Sequence, residues 1–205
     1  MKIDPNGMDF RDLHHLLAGA VVPRPIALVS TRGENGVNNV APLSSISIAC
    51  VKPPMLSFSL STRRRKGGEK KDTLCNIEFA KEFVVNVPVV ESMAEAMNKS
   101  GGEFPNHISE FAETGLTAVD ADLVAAPLVL EAPVSFECRL VQIIEFGEHP
   151  SVSSLVIGEV IRAHVRDEFF VDGVLQSARM KAIGRLLEPY CRTNETFEFN
   201  VEYTL

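Results

Sequence analysis

Within residues 22–73 three apolar segments, 26–30, 46–51 and 55–60, are each closed by Pro, Gly or Asn. Segments this short with such boundaries read as strands, because Pro cannot donate to a ladder and Gly and Asn favour turns. Gly33-Glu34-Asn35-Gly36 supplies a tight turn, since Gly and Asn adopt positive φ at small cost. Between the first two strands lies 38–45 (NNVAPLSS), a run of small and polar residues inside an apolar sheet. Small side chains let a flat ligand approach the backbone closely, and the hydroxyls and amides offer hydrogen bonds. After the third strand a basic loop (Arg63, Arg64, Arg65, Lys66, Lys70, Lys71) runs into Asp72-Thr73 and a predicted helix over 73–80. Cations, a hydroxyl and a helix N-terminus in one place suit a phosphate. A flat polar-edged slot beside such a site points to a phosphorylated aromatic cofactor.

The distribution of charge narrows the choice of partner. The chain of 205 residues carries a formal −7, but 63–71 alone holds six cations and one Glu, leaving −12 on the remainder. Nucleic-acid binders spread basic surface along a face, whereas one loop holds it here, so no nucleic-acid partner is expected. A solvated Lys/Arg loop is the plain alternative, and the position directly before a helix start favours phosphate. An apolar content of 45% is ordinary for one globular domain over 1–205 and predicts no large exposed patch. Cys50, Cys75, Cys138 and Cys191 are widely spaced with no CxxC pair, which reads as reduced thiols in a cytoplasmic protein. Residues 1–5 lack the apolar core of a secretory leader, and no apolar run approaches the ~20 residues of a membrane span. A soluble protein is expected.

Helical spacing over 9–18 predicts a helix with Asp9 as its N-cap. The helix over 73–80 takes Asp72 or Thr73 as its cap, and 82–87 reads as a strand. Ser92-Met93-Ala94-Glu95 is a capping box opening a helix that stops at Gly101-Gly102. A short helix around 107–113 is closed by Gly115. Two long strands, 129–144 and 153–165, exceed what a flat sheet in a small domain accommodates; bent strands of this length suit a closed barrel. Asp172-Gly173 is a hairpin turn, and 178–190 starts helical and breaks at Pro189. The fold class is mainly β with a few short helices.

Chemistry that needs a protein nucleophile or metal finds little support. GxSxG and GxGxxG are both absent, and Ser44-Ser45 has no His nearby in sequence. His14 and His15 point about 100° apart on a helix and do not share a metal. His107 near Glu110 reads as an exposed i,i+3 pair rather than a general base, and Asp120/Asp122 and Glu195/Glu198 as acidic surface. No catalytic side chain and no metal ligand is assigned. A flavin carries out electron transfer itself, so a sequence without a triad but with one basic loop is compatible with it.

Pro23-Arg24-Pro25-Ile26-Ala27-Leu28-Val29-Ser30-Thr31, Asn39-Val40-Ala41-Pro42-Leu43-Ser44, Pro53-Pro54, Lys71-Asp72-Thr73 and Asn76-Ile77 occur in order. Glu82-Phe83-Val84-Val85-Asn86-Val87, Glu110-Phe111, Gly115-Leu116-Thr117, Glu137-Cys138 and Ile157-Gly158-Glu159-Val160 follow. Together they resemble the flavin reductase-like family of FMN-binding split β-barrels (Greek-key type), its flavoredoxin-like subgroup in particular. The resemblance implies a homodimeric FMN protein. It places Asn39, Ala41, Pro42, Leu43, Ser44 and Ser45 along the ring edge, with the amides of Leu43 to Ser45 donating. It brings Ser61, Thr62 and Arg63 to the ribityl or phosphate, and Lys71, Asp72 and Thr73 to the phosphate. Arg24, held rigid between two prolines, belongs to the same set, with a salt bridge as its plain alternative. Leu187-Glu188 replaces a Gly-rich turn of the relatives, so only Gly184 and Arg185 carry over there. The implied activity is an FMN-dependent oxidoreductase, with NAD(P)H as co-substrate and a small-molecule electron acceptor or partner redox protein. The alternative is an FMN-binding electron carrier or sensor without its own NAD(P)H site.

Overall fold

The computed structural model describes residues 1–62, 68–148, 151–193 and 195–197. Among these, Ala27–Arg32 (β1), Asn38–Leu43 (β2), Ile46–Cys50 (β3), Met55–Ser61 (β4), Glu82–Asn86 (β5), Val134–Phe146 (β6) and Ser153–Val165 (β7) form one sheet. Its order is β2-β1-β5-β6-β7-β4-β3, antiparallel throughout. The two edge strands, β2 and β3, are consecutive in the chain, with only Ser44 and Ser45 between them. Seven flat strands spaced by about 4.8 Å would hold those edges about 29 Å apart. The three Cα steps from Leu43 to Ile46 span at most about 11 Å. The sheet therefore has to curl into a barrel.

Bending is built into the longest pair. β6 and β7 slip register between Ile157 and Gly158 and again between Val160 and Arg162, bulges that turn the strands around the barrel. A Cβ on Gly158 would collide with the Phe83 ring and lie 3.2 Å from the Arg139 carbonyl. Phe83 is fully buried and meets Phe58 edge-on, with centroids 5.3 Å apart, so it has no room to yield. Gly158→Ala is expected to cost about 1–3 kcal/mol through overpacking. A urea midpoint lowered with an unchanged slope would show this.

Alternation along β1 sends Ala27 and Val29 into the barrel with Phe58, Leu60, Phe83, Val85, Cys138 and Val156. Leu28 faces outward into a second core with Val40, Met93, Met97, Phe111 and Leu116. The helices Phe10–Ala20 (α1), Asp72–Ala80 (α2), Val90–Ser100 (α3), Glu110–Thr114 (α4) and the short Ser177–Met180 (α5) complete the frame. Leu74 and Ile77 anchor α2 in the barrel core, while α3 and α4 cover the outer face.

Several local expectations hold and others need correction. Asp9 caps α1 by accepting from the Asp12 amide at 2.8 Å. Gly36 takes φ 77° in its turn, and Asp172-Gly173 forms the expected hairpin with φ of 51° and 78°. Residues 38–43, read as a polar run between strands, are themselves strand β2; Pro42 is tolerated there because the strand is an edge. α2 begins at Asp72 with Lys71 as cap, and no side chain caps it. α3 begins at Val90, so Ser92 lies inside the helix rather than at its cap. A bridge between Val89 and Ala182 keeps the chain extended up to that point. The strand expected from 129 starts at Val134, because Leu128–Val129 pairs instead with Ala118–Val119. The four cysteines are free thiols, and burial pushes that of Cys138 up to about 12.

Candidate functional site

Strand β2, the start of α2 and the turn after α3 enclose a groove of about 820 Å³. That size lies within the range of small-molecule and cofactor sites. Asn39, Ala41, Pro42 and Leu43 line it from β2, and Lys71, Asp72 and Thr73 from α2. Ser100, Gly101, Gly102 and Phe104 face them. Seven of the residues singled out from the sequence thus share one groove.

The rest of that set falls elsewhere. Thr62 is buried, with its hydroxyl 2.7 Å from that of Ser154, and its carbonyl accepts the Lys71 amide at 3.1 Å. It fixes the approach to α2. Ser61 ends β4 on the exposed side, and Ser44 and Ser45 form the turn from β2 to β3 outside the groove lining. Arg24 lies on a separate three-stranded sheet of Arg24–Pro25, Ile183–Arg185 and Tyr190–Arg192. Arg63 lies outside the described residues.

The outer edge of β2 is held by α4. The Val40 amide donates to Glu110 Oε2 at 3.3 Å, and Ser109 Oγ donates to the Asn38 carbonyl at 2.6 Å. Antiparallel pairing alternates, so the Leu43 amide turns the other way, towards Ala27. Its expected role as a donor to a ring edge is therefore taken over by the ladder, while its side chain lines the groove. Glu110 is buried, which corrects its reading as half of an exposed pair with His107.

A hydroxyl–amide network fixes the first turn of α2. Asn39 Nδ2 donates to Thr31 Oγ1 and Thr73 Oγ1, both at 3.1 Å, and Asn76 Nδ2 donates to Thr31 Oγ1 at 3.0 Å. Thr73 Oγ1 accepts from Asn39, which leaves its own proton as a donor. Asp72 and Thr73 also occupy positions whose N–H groups an α-helix does not satisfy internally. Positive potential at this end comes from Lys71 and the helix dipole. Glu69, Glu103 and Glu110 also line the groove, so the cation and the helix N-terminus at Lys71–Thr73 mark the end where an anion fits best. A second groove of about 850 Å³ shares Asn39, Glu69, Asp72 and Pro105 with it and continues past Asn35, Cys75 and Asn76.

Another polar cluster lies apart from the groove and went unread in the sequence. Glu137, fully buried, accepts from the amides of Asp122 (3.1 Å), Leu123 (2.7 Å) and Val124 (3.0 Å), with His164 Nε2 at 2.6 Å. Burial pushes its pKa up, but the His164 ring and the Leu123 and Asp122 amides outweigh that and hold it below the ordinary value. Asp122 pairs with Arg162 Nη1 at 2.5 Å. Four donors fill the four lone-pair sites of the carboxylate, so the cluster acts as a loop anchor. A lone charge inside the strand pattern of 134–138 was the available signal.

Residues 18–182 match the family described as the flavin reductase like domain. The chain belongs to this family. Its fold is the split barrel, mostly β with few short helices, and the family is one of flavin-binding proteins. The chain is similar to nitrilotriacetate monooxygenase component B of Bacillus cereus, with 34% identity and a TM-score of 0.90 over 97% of this chain and 98% of that one. It is also similar to 2-nitrobenzoate 2-nitroreductase of Pseudomonas fluorescens, with 31% identity and a TM-score of 0.87 over 100% and 98% of the two chains. A protein of Halalkalibacterium halodurans is 34% identical across 98% of this flavin reductase-like chain and 96% of its own length. No helix among the described residues is long and apolar enough to cross a membrane.

Proposed function

We propose that this chain binds FMN in the groove between β2, α2 and the turn after α3, and acts as an NAD(P)H-dependent oxidoreductase of the flavin reductase type. The carrying observation is that Ala41, Pro42, Leu43, Gly101 and Gly102 line one groove together with Lys71, Asp72 and Thr73. The residues present fit such a group. A Cβ at Gly101 would lie 3.3 Å from Pro42 Cγ, and one at Gly102 would lie 3.2 Å from the Phe104 ring. The two glycines keep this lining low, since added side chains would meet Pro42 and Phe104. One anion-accepting end, with no second Gly-rich turn beside it among the described residues, favours FMN over FAD. Bound flavin supplies the hydride and electron transfer. The chain's own residues position it, exclude water and hold the phosphate, and no general acid or base among the described residues is assigned to the site.

The relatives' names support a reductive role: one is a nitroreductase, the other a component of a monooxygenase. Electrons then pass to a small-molecule acceptor or a partner redox protein. A homodimer belongs to the same reading. Composition predicted no large exposed patch, yet α1 buries only Ala18 and leaves Phe10 and Leu17 exposed by 68% and 58%, followed by Val21 and Val22. Four free thiols support a cytoplasmic setting.

Anaerobic mixing of the FMN-loaded protein with NADH or NADPH is expected to bleach the flavin absorbance. Tight FMN binding without bleaching would favour the electron carrier instead. Lys71→Ala and Thr73→Ala are each expected to weaken FMN binding about tenfold to a hundredfold, the weight of a charge-assisted bond to phosphate. An equal loss in Lys52→Ala, remote in the chain and exposed, would mean that only a diffuse positive field acts.

A further inference from the structure

Arg24 and Arg185 are direct partners across antiparallel strands. Side chains so placed are neighbours, and like charges there are destabilising. Neither guanidinium is compensated: among the described residues no carboxylate lies within ion-pair distance of either. Arg24 Nη2 donates to the Leu186 carbonyl at 2.7 Å, while its Nε is buried without a partner. Burial first, and the charge of Arg185 second, lower the Arg24 pKa.

The pair is also held rigidly. Pro23 and Pro25 fix the backbone on both sides of Arg24. Gly184 lets that strand come close, since a Cβ there would lie 2.7 Å from Cys191 Sγ and 3.3 Å from Pro23 Cβ. The Arg185 guanidinium sits over the Tyr190 ring, 4.4 Å from its centroid. Tyr190 OH donates to Asn98 Oδ1 at 3.0 Å, three residues before Gly101 of the flavin groove. Two fixed, uncompensated guanidiniums present the planar donor array that oxyanions accept.

We propose that Arg24 and Arg185 form an oxyanion subsite that takes the charged group of the molecule exchanging electrons at the groove. That group is a phosphate of a nicotinamide dinucleotide or the carboxylate of an aromatic acceptor. The subsite's link to electron exchange rests on the flavin reading, but anion binding by the two arginines does not.

Calorimetric titration of the full chain with pyrophosphate and with benzoate, each with and without FMN, tests it. Wild type is expected to bind at least one of them saturably. Arg185→Gln, and Arg24→Lys, which keeps the charge but loses the planar fork, should weaken that binding about tenfold to a hundredfold. FMN affinity should stay unchanged in Arg185→Gln. Arg192→Gln, exposed on the adjacent strand, should bind like wild type. Binding of pyrophosphate assigns the subsite to a nucleotide, and binding of benzoate to an aromatic acid. Saturable binding in a protein that takes no FMN would keep the subsite and remove the flavin reading. No saturable binding by wild type, or an equal loss in Arg192→Gln, overturns the proposal.

Discussion

Ala41→Leu is expected to abolish FMN binding while the barrel stays folded. Ala41 is half-buried in β2, flanked by ladder partners on β1, and its side chain forms part of the groove wall. Leu adds three carbons into a groove that Pro42, Gly101 and Gly102 also line, where even a Cβ on Gly101 would come within 3.3 Å of Pro42. Strands accept Leu without backbone change, so the loss arises by exclusion of the ligand rather than by unfolding. Ser44→Leu is the informative companion. It sits in the turn outside the groove lining and is expected to spare binding. With no Trp in the chain, flavin fluorescence is read against a quiet background, and circular dichroism reports the fold.

Glu137→Ala is expected to cost several kcal/mol, at about 1–3 kcal/mol for each buried donor left without an acceptor. Three backbone amides, that of Val124 buried, lose their acceptor, and His164 loses its partner. Domains of this kind are stable by only about 5–15 kcal/mol, so the variant should unfold at a much lower urea concentration. The pH dependence has a definite sign. The folded-state pKa of Glu137 lies below its ordinary 4.5. Its contribution is therefore complete above that ordinary value and is lost as pH falls through the lowered one. Wild type should lose stability in that acid window, and Glu137→Gln should flatten that limb. An acid limb of the same size in Glu137→Gln would assign it to other carboxylates.

Local features were legible in the sequence because local forces decide them. The Gly33–Gly36 and Asp172-Gly173 turns need only residues that adopt positive φ, and Asp9 caps its helix through a neighbour three residues on. The strand at 38–43 was not legible, since two Asn and a Pro argue against a strand until pairing with Ala27–Arg32 overrides them. Glu137 and Asn86 read as ordinary strand residues because their partners are remote. Asn86, buried, donates to the Leu28 carbonyl and Ser30, and accepts from the Val129 amide and Ser135. In the candidate site, Asn39–Leu43 and Lys71–Thr73 were visible as motifs. The opposite wall was not: Gly101-Gly102 looked like a helix stop, and only the fold brings it against Pro42. Arg24 was visible too, but its neighbour is a second cation rather than the carboxylate a salt bridge would need.

Titration of purified wild type and Ala41→Leu with FMN and with FAD, followed by flavin fluorescence, tests the central claim most directly. Saturable binding of FMN, tighter than that of FAD and lost in Ala41→Leu, is the predicted result. Much tighter binding of FAD, or FMN binding that Ala41→Leu leaves intact, would contradict it.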